Sequence, residues 1–332
     1  MQNNQPFIFG IGNPLIDIVI NAAEEDLNCL ELNKGTMELV DHNRQQEILN
    51  YYKGKELNYF PGGSAPNTIL ACSGLGVNSH ISGKIGKDRL GEIYIKRVKE
   101  YGADSGLVFG EGRTGSSIIL VTPDGERTMN TNLGMCQEYC ADEVDEEKLS
   151  KSKFFYFTGY MWDTDSQKSA IKKAIKIAKE NQVKVVFDVA DPFAVGRNKD
   201  SFLRLIRDDI DIVFANKSEL KILMNSEDLD LCIEDLKTIV LNFGIKLGKD
   251  GSIIYKNNEK YLIKPSPILA KDSTGAGDMY AAGFLASLAK GNGYEIAGEV
   301  AVRLAEEVIQ IQGAQFDNDV IHQLRTSISE LQ

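Results

Sequence analysis

Asp272-Ser273-Thr274-Gly275-Ala276-Gly277-Asp278, followed by Met279-Tyr280-Ala281-Ala282-Gly283-Phe284-Leu285, is a glycine-rich turn that feeds a helix of small residues. The backbone N–H groups left free at such a helix start, together with the positive end of its dipole, bind phosphate oxygens. Glycine suits the turn because a side chain would block close approach. Asp278, in the first turn, is a carboxylate able to take a proton from an attacking hydroxyl. A plain N-capped helix would also place an acid at its start, but Asp or Thr alone would suffice for that. Around this turn, short apolar runs alternate with segments of helical period, the pattern of an α/β chain with a mainly parallel central sheet covered by helices on both faces. Strands are expected at 7–11, 79–83, 154–157, 183–187, 212–214 and 252–255. The clearest helix is 166–181, where Ala170, Ile171, Ala174, Ile175 and Ala178 mark one apolar face. Two stretches break the rhythm, 17–60 and 112–133, the second reading as a hairpin around Pro123-Asp124-Gly125. Strands inserted at two points suggest a small β-rich lid domain (17–60 and 112–133) on a large α/β domain (1–16, 61–111 and 134–332).

At 332 residues the chain has room for about two domains of roughly 150 residues each. A hydrophobic fraction of 42% with 26% charged residues is that of a globular protein, which excludes disorder and fibrous folds. Lys and Arg number 37 against 48 Asp and Glu, a net charge of −11, so the surface repels a nucleic-acid backbone and any anionic ligand needs local donors. Five scattered cysteines, an odd number, fit a reduced, cytoplasmic protein, and no second pair completes a zinc set with Cys136 and Cys140. None of the three histidines sits beside a Ser or Cys in a nucleophile motif. The first six residues are polar and no run approaches 18 apolar residues, so neither export nor membrane anchoring is expected. A monomer or homodimer is expected.

The 272–278 segment resembles the D-[ST]-T-G-A-G-D signature of the PfkB carbohydrate kinases, the ribokinase-like group that includes adenosine kinases. A second hallmark of that family is matched by Phe60-Pro61-Gly62-Gly63-Ser64-Ala65-Pro66-Asn67-Thr68, followed by Ile85-Gly86-Lys87-Asp88-Arg89-Leu90-Gly91. Its N-x-x-E motif is matched by Asn216-Lys217-Ser218-Glu219 and its G-x-x-G loop by Gly248-Lys249-Asp250-Gly251. The resemblance runs from about residue 7 to about 314. Rival phosphate motifs fail: there is no G-x-x-x-x-G-K-[ST], and Gly10-Ile11-Gly12 lacks the third glycine of a dinucleotide fingerprint. The resemblance implies a three-layer ribokinase-like fold using ATP and Mg²⁺. It places the phosphates on Thr274 to Gly277, with the N–H groups of Gly275, Ala276 and Gly277 stabilising the transferring phosphoryl group and Asp278 as base. Asn216, Lys246, Gly248, Gly251 and Thr274 would hold the nucleotide. Glu219 and Asn216 would face Mg²⁺ through water, a monovalent cation such as K⁺ would lie near Asp272, and Arg127 would be the lid arginine that reaches the phosphate.

For the acceptor, Gly12-Asn13-Pro14-Leu15-Ile16-Asp17-Ile18 is similar to the wording of adenosine kinases, whereas the family's sugar kinases usually lack the Asn-Pro pair. Asp17, at a strand's carboxyl end, can accept two hydrogen bonds from a vicinal diol, and Asn67 can donate and accept at the same ring. Asn13 completes the grip, and Gly62-Gly63 lets backbone approach the sugar. Two departures stand out: Lys246 occupies a position where relatives usually carry Thr, and 33–37 lacks the amide side chain that helps read the purine. An apolar sandwich for a base would come from Met37, Tyr160, Met161 or Trp162, with core packing the competing role for each. The expected activity is transfer of the γ-phosphate of ATP to the primary hydroxyl of a nucleoside, adenosine foremost. The alternatives are a sugar kinase for ribose, fructose or a keto-deoxy sugar acid, and a non-catalytic binding protein of the same fold, which the intact motif set argues against.

Overall fold

A computed structural model describes residues 8–329, so Phe7, expected to open the first strand, lies outside the described residues. In chain order the strands are β1 (Ile8–Ile11), β2 (Leu15–Asn21), β3 (Met37–Leu39), β4 (Asn58–Gly62), β5 (Ser79–Gly86), β6 (Asp104–Gly110) and β7 (Ser116–Val121). They continue as β8 (Arg127–Asn132), β9 (Phe154–Thr158), β10 (Lys184–Asp188), β11 (Ile212–Asn216), β12 (Asn242–Lys246), β13 (Ser252–Lys256) and β14 (Glu259–Ile263). Nine of them form one sheet in the order β14-β13-β12-β11-β10-β9-β1-β5-β6. From β12 to β6 every pairing is parallel, while β13 and β14 close the other edge as an antiparallel hairpin.

The strands that were expected are all present, and their sequences explain why they lie in the middle of three layers. Phe154 and Tyr156 of β9 enter the apolar core on one side of the sheet, and Phe155 and Phe157 enter the core on the other. β1 divides in the same way, with Ile8 on one side and Phe9 and Ile11 on the other. A strand buried on both faces reads as a continuous apolar run, as these do. The expected helix at 166–181 spans Asp165–Glu180, capped by the Thr164 hydroxyl, which accepts from the Gln167 N–H. The helix Ala276–Ala289 is buried almost all round, because its small residues admit close neighbours: a Cβ on Gly283 would lie 2.7 Å from the Val300 carbonyl oxygen.

The remaining five strands form a second sheet, ordered β3-β8-β7-β2-β4. Its strands come from both interrupting stretches, but 17–60 also carries two helices, Glu24–Cys29 and His42–Tyr51. That half of the insertion is therefore mixed rather than purely β-rich. Ile16, Ile18, Ile20, Ile118 and Leu120 point to one face and are buried in the core. The alternate residues Leu15, Asp17, Ser117, Ile119, Arg127, Met129 and Thr131 line a cavity between this face and the carboxyl edge of the large sheet. The chain leaves β1 toward β5 and β6 on one side and later fills β9 and β10 on the other, so the cavity lies at the switch point where such folds bind ligands.

Candidate active site

The cavity has a volume of about 810 Å³, in the range of small-molecule and cofactor sites. At its middle lies the glycine turn. Gly275 has φ +76°, and a Cβ there would lie 2.7 Å from Ala314, so only glycine permits this turn. The helix starts at Ala276, whose N–H donates back to the Ser273 carbonyl at 3.3 Å. Gly275, Ala276 and Gly277 all line the cavity, with Asp278 one step further in. Asp278 Oδ1 accepts from the Ser64 hydroxyl at 2.6 Å, and Oδ2 accepts from the Asn67 amide at 2.9 Å. Burial pushes Asp278 up to about 6, against the pull of those two donors.

Asp17 projects from β2 into the same space. Burial raises it to about 7; Arg127 opposes the shift and the Asp278 charge adds to it. The two glycines before Asn67 act here on protein atoms. A Cβ on Gly62 would lie 2.5 Å from Asp17 Oδ2, and one on Gly63, at φ +97°, would lie 2.0 Å from the Asn13 carbonyl oxygen. Asn13 is buried, and its Oδ1 accepts from Gln167 at 2.8 Å, which leaves its NH₂ for the cavity. Asn67 is engaged on both halves of its amide, donating to Asp278 and accepting from Gln315.

Arg127, from β8, reaches the turn. Its Nη1 donates to Asp272 at 3.1 and 2.9 Å and to the Thr274 hydroxyl. The Asp272 carboxylate also accepts the Thr274 N–H at 3.0 Å and the Gly313 N–H at 2.9 Å, and these donors hold it below the usual range although burial works the other way. Where a monovalent cation is expected, the Asp272 carboxylate accepts from Arg127, Thr274 and Gly313.

Behind the turn, Lys246 ends β12 and pairs with Asp188, which ends β10, at 2.8 Å. Burial lowers the Lys246 ammonium's pKa, but Asp188 and Glu219 outweigh it and the net shift is upward. The lysine is not a solvated surface group: its Nζ lies 3.3 Å from where a Gly277 side chain would begin. Glu219 is buried and raised to about 8 by that burial. Both its oxygens are tied to Asn216, one to the backbone N–H and one to the side-chain NH₂, each at 2.6 Å, in a reciprocal cap of the helix Lys217–Met224. Among the described residues no three His, Cys, Asp or Glu side chains converge to hold a metal unaided.

The two ends of the cavity differ. One is walled by Leu15, Met37, Leu39, Ile119, Met129 and Leu133, the other by Gly248, Gly251, Pro265, Ile268, Val302 and Ile309. Of the four expected base-sandwich residues, Met37 and Tyr160 line the cavity. Met161 and Trp162 are instead buried in the core beside β9, because the short helical turn Gly159–Trp162 points them inward. Sequence reading missed Ser64, Thr158, Asp163, Asp188, Tyr280 and Gln315. Only Asp188 had a local signal, an acid closing an apolar strand.

Comparison with known proteins adds three findings. A model of the pfkB family carbohydrate kinases matches residues 35–321. The chain is similar to a 5-dehydro-2-deoxygluconokinase of Clostridium perfringens, 27% identical over 72% of this chain and 75% of that one. It is equally similar to the adenosine kinase of Saccharomyces cerevisiae, 27% identical over 94% of this chain and 97% of the yeast protein. Among solved structures it superimposes on the adenosine kinase of Sinorhizobium meliloti with a TM-score of 0.90 at 32% identity, covering 99% of this chain and all of that one.

Proposed function

The chain belongs to the pfkB family of carbohydrate kinases, and from that premise we propose that it transfers the γ-phosphate of ATP to the primary hydroxyl of a nucleoside, adenosine foremost. The observation that carries this reading is the pattern of side chains on the cavity face of the small sheet. Strand register aligns Met37 with Met129 and Met129 with Ile119, an apolar row across three strands. The adjacent row runs Leu39, Thr131, Ser117, Asp17 and ends in the carboxylate. Rows on one face are about 7 Å apart, two residues of rise, so a flat base on the first row sets a ribose diol near Asp17. Methionines adapt to the shape of a base without reading its edge. A carboxylate-bearing sugar acid fits less well, because the Asp17 and Asp278 carboxylates line the same space.

Asp278 is the proposed base. As the acceptor oxygen bonds to the γ-phosphorus, the bond from that phosphorus to the bridging oxygen breaks, ADP departs with the electron pair, and Asp278 takes the hydroxyl proton. The turn N–H groups and Arg127 meet the negative charge of the transferring group, and Lys246 lies beneath the same loop. Bound Mg²⁺ would neutralise phosphate oxygens, held mainly by those oxygens and water with the buried Glu219 and Asn216 behind. Initial rates of ADP release with adenosine, 2′-deoxyadenosine, ribose, fructose and 5-dehydro-2-deoxygluconate test the reading. Adenosine should lead, with the 2′-deoxy form well behind because its missing hydroxyl leaves Asp17 unpaired. Turnover of the sugars alone would transfer the assignment to the sugar-kinase branch.

A further inference from the structure

Asp278 is held by more than its immediate neighbours. Asn67, which donates to it, is only 3% exposed, so the other half of its amide must be met inside the protein. It is met by Gln315, whose Nε2 donates to Asn67 Oδ1 at 2.7 Å. Gln315 Oε1 in turn accepts from Arg97 Nε at 2.8 Å. Arg97 is itself fixed: Nη2 donates to the Phe316 carbonyl at 3.0 Å, and the guanidinium lies 4.9 Å over the Tyr101 ring. Tyr101 donates to the same carbonyl at 2.5 Å. A guanidinium has donors and no acceptor, and an ionised carboxylate has acceptors and no donor. Two amides strung between those ends have one orientation that satisfies every link.

We propose that Arg97 and Gln315 are positioning residues for phosphoryl transfer, holding the Asn67 amide with its NH₂ toward Asp278 so that the base stays ionised and aimed at the acceptor hydroxyl. The word base rests on the kinase reading above; the orientation of the amides does not. The groups facing Asp278 from other elements are Asp188 on β10, Lys246 on β12, Asp17 on β2, Tyr156 on β9 and Tyr160 beyond it, with Ser64 and Asn67 on its near side. Burial and the two aspartates favour the protonated acid, so the Ser64 and Asn67 donors, together with the Lys246 charge, decide how far down the pH scale it remains a base. An inverted Asn67 would set a carbonyl oxygen against the carboxylate and remove one of those donors.

Gln315→Glu tests this directly. Arg97 keeps its acceptor, but the second carboxylate oxygen now faces Asn67 and is satisfied only when that amide turns over. Gln315→Met removes both links at similar volume without adding charge. Titration of the Asp278 carboxyl carbon, in ligand-free protein ¹³C-labelled at aspartate and assigned with Asp278→Asn, should give a midpoint about 1 unit higher in Gln315→Glu and a smaller rise in Gln315→Met. The acid limb of kcat/KM should move up by the same amounts, so that Gln315→Glu is roughly tenfold slower below the limb and recovers at high pH, with ATP affinity at high pH unchanged. An unchanged midpoint in both variants overturns the proposal. So does a rise in Gln315→Glu alone, which is the through-space effect of a new carboxylate. If no acceptor is turned over at any pH the kinase reading fails, and the titration still decides the orientation.

Discussion

Asp278 and Asp17 are carboxylates placed where ionisation is disfavoured, and each is kept usable by a few neighbours. Replacing Asp278 by Asn preserves shape and removes basicity; kcat should fall by at least ~10²-fold while calorimetric ATP affinity stays within a few-fold of wild type. Because the base must be ionised, kcat/KM should decline as pH falls through the values of about 7 and about 6 held by Asp17 and Asp278 in the free enzyme. Asp17 has a stability signature of its own. Its folded-state pKa is raised from the ordinary 3.8 to about 7, so stability is lost progressively as pH rises between those two values and the full cost is present above about pH 7. Asp17→Asn should therefore raise the Tm of the ligand-free protein most at pH 8 and clearly less at pH 5, while acceptor turnover collapses; an equal effect at both pH values would sink that assignment. Asp278 was legible in the sequence because it sits in a glycine turn whose spacing is chemically specific, Asp17 and Arg127 because their short runs resemble the family's. Gln315 was not, since its partners lie at 97 and 67 and only the folded chain brings them together.

At the scale of elements, the turn into Ala276–Ala289 is the most constrained. Gly275→Ala puts a Cβ at positive φ and against Ala314, so it should cost about 1 kcal/mol from the dihedral alone and more from the clash, lowering Tm by several degrees and weakening ATP binding more than adenosine binding. A variant with wild-type Tm and ATP affinity would show that the turn tolerates a side chain. The parallel strands were readable because burial on both faces writes them as apolar runs. The hairpin β13–β14 was read only in its first half. Asn257 and Asn258 have φ of 50° and 81°, the pair of left-handed residues of a tight hairpin turn, and an Asn-Asn step between two strand-like runs was the missed signal. β12 carries Gly244 at its centre, where a Cβ would press on the Tyr280 hydroxyl and Phe214, so a packing requirement diluted its β-like composition. The helices of 17–60 were overlooked because both are short, six and ten residues.

Taken as a whole molecule, the chain sets a small sheet over the carboxyl edge of a large one, with Arg127 bridging from one to the glycine turn of the other. A site that moves a phosphoryl group must exclude water, and the small sheet is the element placed to do so. Hydrogen exchange at saturating adenosine should show protection concentrated in 15–62 and 116–132 with the strands of the large sheet unchanged, while equal exchange in both states would mean the cover is fixed. Arg127→Ala should slow phosphoryl transfer in either case, because the charge it brings to the turn is lost. The acceptor is the central claim, and competition measures it most directly, since product ratios from a mixture report relative kcat/KM without separate kinetics. Incubation of the enzyme with limiting ATP, Mg²⁺ and equimolar adenosine, ribose and 5-dehydro-2-deoxygluconate, with products separated by mass spectrometry, should yield adenosine 5′-monophosphate as the dominant product; a dominant phosphorylated sugar or sugar acid, with adenosine left intact, would contradict it.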